Sequence, residues 1–142
     1  MGKTMAINYF AEPMVVLQLF TAALLGAIVG LEREHIHKPA GLRTHMLVCI
    51  GATLITLVSV NKVFAGGDPS RIASQIVVGI GFIGAGTIFK MENKVEGLTT
   101  AASLWTVAGV GLAIGIGLYF EALIATSIVF IILQLGKFEK TV

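Results

Sequence analysis

Long apolar runs separated by short polar ones organise this chain. Met14 to Leu31 supplies 18 residues without a charge, close to the ~20 that an α-helix needs to cross a ~30 Å hydrocarbon core. Pro13 suits a first helical turn, where its missing N–H has no partner to lose, and Glu12 can serve the orphan amides. Span 1 is therefore predicted to start at Pro13. Glu32 to His45 reads as a hydrophilic loop. Met46 to Ala65 is the second run, interrupted late by Asn61 and Lys62, which can snorkel to an interface. Gly66, Gly67, Asp68 and Pro69 read as a turn with Asp68 or Ser70 as helix cap. Span 3 is predicted over about 72–89, followed by a charged loop at Lys90 to Glu96.

Thr99 to Leu135 carries a single charge, Glu121, in 37 residues. One helix of that length would reach about 55 Å, too long for one crossing. Gly115 and Gly117 followed by Tyr119, Phe120 and Glu121 suit a tight turn at headgroup level, where aromatic rings are favoured. The run divides into span 4, roughly 99–116, and span 5, roughly 119–136. The pattern predicts an all-α membrane protein of five transmembrane helices.

Composition agrees: over 142 residues, 56% are hydrophobic and 13% charged, and the mean hydropathy is +0.91. These values lie outside the range of soluble globular domains. A net charge of +2 makes no case for nucleic acid. The single cysteine, Cys49, lies mid-span and reads as a small buried residue, which leaves no disulfide framework. The first apolar run follows no signal-cleavage pattern and is read as retained, and Ala6 argues against myristoylation at Gly2.

Placement of the cations sets the expected orientation. Arg33, Lys38, Arg43, Lys90, Lys94, Lys137 and Lys140 fall on one side of a five-span topology, and Lys3, Lys62 and Arg71 on the other. The positive-inside rule makes the first side cytoplasmic. Residues 1–12 then form a short external N-terminus, 13–136 the membrane domain and 137–142 a short cytoplasmic tail without a soluble C-terminal domain.

An internal repeat is also legible. Gly26-Ala27, a charged loop and Gly41-Leu42-Arg43-Thr44 match Gly84-Ala85, a charged loop and Gly97-Leu98-Thr99-Thr100, with separations of 15 and 13 residues from the first glycine to the loop-ending one. The pattern predicts a duplicated helical hairpin, spans 1-2 and 3-4, plus span 5, related by an axis along the membrane normal. Thr44, Thr99 and Thr100 would cap the second helix of each hairpin, with positive helix ends facing the loop acids.

Gly79, Gly81, Gly84 and Gly86 crowd one span, and Gly26 and Gly30 form a GxxxG pair. In a membrane such residues let helix backbones approach closely; the less favoured reading is a broken helix whose carbonyls line an ion path. Gly79-x-Gly81-x-x-Gly84 copies a dinucleotide fingerprint but lacks the strand and acid that motif requires. His35 and His37 beside Glu32 and Glu34 have no metal-ligand spacing, and a solvated edge in which the acids meet Arg33, Lys38 or Arg43 is the better reading. His45 could sit at headgroup level. Arg71 and Gln75, four apart, share a helix face near the outer surface. No carboxylate falls at membrane depth, although Mg²⁺ is normally held through carboxylates and retained waters. No nucleophile–base pair stands out, so an enzyme is not expected.

Three stretches are specific enough to carry a family resemblance: GLEREHIHKPAGLRTHMLVCIGA (Gly30 to Ala52), DPSRIASQIVVGIGFIGAGTI (Asp68 to Ile88) and VEGLTTAASLWTVAGVGLAIG (Val95 to Gly115). In this order, over about residues 14–136, the chain resembles the MgtC/SapB family of bacterial inner-membrane proteins. The resemblance implies five spans and a link to growth in low Mg²⁺, and in some members to virulence through acid tolerance or survival in host cells. Members have been described both as candidate Mg²⁺ transporters and as regulators of membrane machines such as the ATP synthase. Carried onto this sequence, it points to Glu32, Arg33, Glu34, Arg43, Thr44, His45, Asp68, Arg71, Gln75, Thr99, Thr100 and Trp105 as the functional polar set, together with the glycines. Many relatives continue into a soluble C-terminal domain, whereas this sequence stops at Val142. The expected partners are the lipid bilayer, a second copy in a homodimer and a partner membrane protein. No cofactor is expected beyond Mg²⁺ as substrate or ligand.

Overall fold

The computed structural model describes residues 13–60, 68, 70–92 and 94–138. Five helices and one small hairpin follow in order: α1 (Pro13–His35), α2 (Leu42–Val60), α3 (Ser70–Ala85), β1 (Phe89–Met91), β2 (Lys94–Glu96), α4 (Leu98–Gly115) and α5 (Tyr119–Phe138). The segment 1–12, Asn61, Lys62, Gly66, Gly67, Pro69 and the last four residues of the tail lie outside the described residues.

Among the described residues four helices are long and apolar enough to cross a membrane: α1, α2, α4 and Tyr119–Gly136 of α5. The apolar part of α3, Ala73–Ala85, is shorter. The expected third span to Phe89 is therefore corrected: α3 stops at Ala85. Thr87 Oγ1 donates to the Gly84 carbonyl at 2.7 Å, turning the chain out of the helix. The charged loop beyond is an antiparallel hairpin in which Phe89 faces Glu96, Lys90 faces Val95 and Met91 faces Lys94.

The predicted loop 32–45 is also shorter than expected, because helix enters it from both sides. α1 continues through Glu32, Arg33 and Glu34 to His35, and α2 already begins at Leu42. Between them Lys38 N–H bonds the Arg33 carbonyl and His37 N–H the Glu34 carbonyl, both at 3.0 Å, with His37 at φ 56°. That is the paired-bond ending that satisfies the last carbonyls of a helix, with His in the position glycine usually takes. The turn after α4 falls where expected, with Gly117 at φ 88° and α5 starting at Tyr119.

Lipid tails are as apolar as leucine, so burial of apolar surface does not drive helices together in a bilayer, whereas close packing and interhelical hydrogen bonds do. The interior reflects this. α2 is central, with α1 on one side, α4 on another and α3 at its edge. Gly26 and Gly30 bring α1 against α2: a Cβ at Gly26 would lie 3.0 Å from Met46 Cα, and one at Gly30 would lie 2.7 Å from Leu42 Cα. A second GxxxG pair, Gly111 and Gly115, brings α4 against α2. A Cβ at Gly115 would stand 2.5 Å from Thr56 Cβ, and one at Gly111 would strike the Cys49 carbonyl. Around these contacts Ala22, Val29, Cys49, Leu104, Val107 and Ile114 are fully or almost fully enclosed.

The crowded glycines of α3 behave differently from expectation. Gly84 packs on α4, its Cβ position 3.5 Å from that of Ala101, but Cβ atoms at Gly79 and Gly81 would meet nothing within 4 Å. In the single chain these two glycines line an open face rather than a helix contact.

Candidate functional site

Where α1 turns into α2, the sequence places two acids, two arginines, a lysine and three histidines within fourteen positions, and the fold sends them to different environments. Glu34 stays exposed at the last turn of α1 and reaches over Gly41, where its Oε2 accepts the Leu42 N–H at 2.7 Å. A carboxylate on the first free amides of α2 is favoured by the helix dipole as well as by the hydrogen bond. The acid thus faces a helix start, as expected. The expected threonine caps are corrected: no side chain caps α4, whose N-cap is Gly97 at φ 91°, and Thr99 is exposed.

Glu32 and Arg33 point inward. Their side chains are 1% and 4% exposed, and Arg33 Nε meets Glu32 Oε2 at 2.6 Å. This overturns the solvated-edge reading for these two residues. Neighbours in sequence do not normally face each other on a helix, and only one carboxylate oxygen is engaged. Glu32 Oε1 is buried without a hydrogen-bond partner among the described residues. Taking a charged pair out of water is expensive unless its remaining hydrogen-bonding capacity is met.

His45, one turn into α2, is fully enclosed. Its Nδ1 lies 2.9 Å from the Gly41 carbonyl, and its Nε2 lies 3.0 Å from Ser103 Oγ on α4. Ser103 in turn donates to the Thr100 carbonyl at 2.8 Å. Its spacing from Thr100 gives no hint that α4 would present it to a histidine 58 residues away.

Deeper polar contacts continue along the α2–α4 seam. Thr53 Oγ1 lies within hydrogen-bond reach of the Gly111 carbonyl at 2.8 Å and its own helix's Cys49 carbonyl at 3.0 Å. At the far end Gln18 of α1 donates to the Ile114 carbonyl at 3.0 Å, satisfying the last turn of α4. None of these was singled out from the sequence, because a threonine bonded one turn back in its own helix looks like ordinary filler.

The fold therefore gathers Glu32, Arg33, Glu34, His45 and Thr100 at the α1–α2–α4 end, and leaves the other named residues apart. Arg43 is exposed, and Thr44 is half-buried on the wall of an apolar groove that also takes in Gln75 and Gly79. Trp105 lies mostly exposed on a second groove beside α5. Asp68 and Arg71 are exposed at the start of α3, near the opposite end of α2, where Ala73 N–H donates to Ser59 Oγ at 3.3 Å. Asp68 accepts from Ser70 Oγ at 2.7 Å and Ser70 N–H at 2.9 Å; the hydroxyl contact first, then the amide, hold its carboxyl below the usual range. Among the described residues no group of three or more His, Cys, Asp or Glu side chains is gathered to hold a metal ion.

The sequence matches the model of the MgtC family over residues 19–141. Protein SapB of Bacillus subtilis is 40% identical over 138 residues, 92% of this chain and 59% of the relative. Protein MgtC of Salmonella typhimurium strain LT2 is 47% identical over 114 residues, 80% of this chain and 48% of the relative. Protein MgtC of Brucella abortus strain 2308 is 50% identical over 111 residues, 78% of this chain and 45% of the relative. The chain thus spans about half the length of the curated relatives it matches. No solved structure matches it.

Proposed function

The chain belongs to the MgtC family, and from that premise we propose that it is a multi-pass protein of the bacterial cytoplasmic membrane serving Mg²⁺ and ion homeostasis. Its ion-handling centre is the α1–α2–α4 end. The observation that carries this reading is the burial of Glu32 and Arg33 in a helix otherwise apolar enough to span a membrane, an arrangement that is costly unless it is used. Mg²⁺ enters as cargo rather than as a resident ion. Purified protein in liposomes should change Mg²⁺ or monovalent cation flux relative to empty vesicles, and Glu32→Gln should reduce the change. Equal flux with and without protein under every gradient tested rules out transport.

In the same proposal α3 is the fifth crossing, with the N-terminus outside and the C-terminus cytoplasmic. Its 16 residues reach about 24 Å, so the bilayer must thin locally around it. Equivalent contacts favour the duplicated hairpin: Gly26 packs on α2 at His45 and Met46, and Gly84 packs on α4 at Ala101. His45 and Ala101 each stand four residues after the glycine that opens their helix.

A second reading, a regulator that binds a partner membrane protein or a second copy, is favoured by the open glycine face of α3. Gly79 and Gly81 leave the backbone bare, and Phe82 beside them is 87% exposed. Crosslinking from position 78 in native membranes should then capture one defined partner helix. Lipid adducts alone would remove this reading.

A further inference from the structure

The hydrogen bonds around His45 can be counted donor by donor. The Gly41 carbonyl only accepts, so the 2.9 Å contact needs a proton on Nδ1. The Thr100 carbonyl also only accepts, so the 2.8 Å contact uses the single proton of the Ser103 hydroxyl. The remaining 3.0 Å contact, between Nε2 and Ser103 Oγ, then has no proton left unless Nε2 carries one. All three contacts are satisfied together only by an imidazolium ring, whose two nitrogens both donate. A neutral ring keeps the Nδ1 bond, but Ser103 must swing its proton from Thr100 to Nε2, reversing the direction of the α2–α4 bond with no heavy atom displaced.

We propose that His45 is a reversible proton-binding site buried at the α1–α2–α4 junction, with the Glu32 carboxylate as its counter-charge and Ser103 as the hydroxyl that reverses its hydrogen bond on protonation. The unpartnered Glu32 Oε1 is the independent observation: Arg33 engages only the other oxygen. Of the elements packed on α2, α1 supplies the buried Glu32–Arg33 pair. α4 supplies the Ser103 hydroxyl and the Thr100 carbonyl. The cation of α3, Arg71, lies near the far end of α2, and Arg43 of α2 itself is exposed. The proposal does not depend on transport, because its readout is the protonation of one ring rather than flux.

The test is nitrogen-15 NMR of the imidazole in the full chain, in nanodiscs, with His35→Gln and His37→Asn leaving His45 as the single histidine. Between about pH 5 and 8, the ring should pass from the Nδ1–H neutral form to the imidazolium with one midpoint, while helicity by circular dichroism stays constant. Glu32→Gln should lower the proton affinity about tenfold or more. Ser103→Ala should lower it about threefold or more, because the bond the charged ring loses is stronger than the one the neutral ring loses from the same hydroxyl. A ring that keeps one neutral tautomer across this range in folded protein overturns the proposal, as does a Ser103→Ala midpoint that stays put or moves upward. Should Glu32→Gln fail to fold, the Ser103→Ala titration decides alone.

Discussion

Replacing Gly111 by Ala puts a methyl group where α4 touches α2 most closely. The new Cβ would overlap the Cys49 carbonyl and stand 2.9 Å from Ala52 Cβ, where carbon atoms in contact prefer about 3.5–4.0 Å. The main obstacle is backbone, so no rotamer change relieves it and the helices must separate by ~0.5–1 Å. A gap of that size forfeits a quarter to a half of each facing dispersion contact. Overpacking of this kind costs ~1–3 kcal/mol. The comparison is Gly79→Ala, where nothing lies within 4 Å and only the gain in helix propensity, ~1 kcal/mol, remains. Both substitutions share that gain, so their difference isolates the packing cost. We expect about 2–3 kcal/mol, the upper part of the range, since the obstacle cannot move aside. Reversible unfolding in mixed micelles, followed by circular dichroism, measures it. Equal stability for the two variants would refute the claim that α2 and α4 are in backbone contact at Gly111.

Four further outcomes follow from the same geometry. Thr53→Val keeps shape but removes the hydroxyl shared between Cys49 and Gly111, and should destabilise the fold by ~0.6 kcal/mol and no more than ~1.7 kcal/mol in the same unfolding assay. Gly97→Ala should be far worse than Gly117→Ala. Both occupy left-handed backbone, which costs ~1–2 kcal/mol with a side chain, but only Gly97 would also drive a Cβ into the Thr87 carbonyl; melting temperatures of the two variants decide. Gln18→Leu should remove the side-chain donor shared by the Ile114 and Gly115 carbonyls, leaving Ile114 only its Gly117 N–H, and speed amide hydrogen exchange at residues 116–118, measured by mass spectrometry. Asp68 has a carboxyl held low by Ser70, so its support for the start of α3 is complete above the unfolded value of ~3.9 and is lost as pH falls through the lower folded value. Amide exchange at residues 70–73 should rise only in that acid window, and Asp68→Asn should abolish the dependence.

The apolar runs made the helices at Pro13, Leu98 and Tyr119 legible, because a membrane sets helix length and glycine-aromatic turns mark the breaks. Local chemistry hid the rest. Charged residues at 32–35 read as loop, since nothing in a sequence tells a helix end that turns inward from one that meets water. The hairpin at 89–96 has every described position exposed, so it shows no apolar alternation. Gly26 and Gly30 pack closely as read, but the glycine count also pointed to α3, whereas the other close contacts lie at Gly111 and Gly115. A glycine's use depends on what stands opposite, which the chain does not state. The polar list was more informative: His45 and Thr100 do converge, through Ser103, but their separation over 56 positions concealed it.

The central place of α2 bears on how the protein assembles. α1 and α2 are consecutive and joined by a short turn, so their glycine-paired contact can form as soon as the second helix has entered the bilayer. The next helix to arrive is not the next to be needed. α4 takes the remaining large face of α2, with α3 at the edge. During synthesis α3 must therefore leave that face of α2 clear until α4 emerges, and the short hairpin that follows it is the device that returns the chain to the centre.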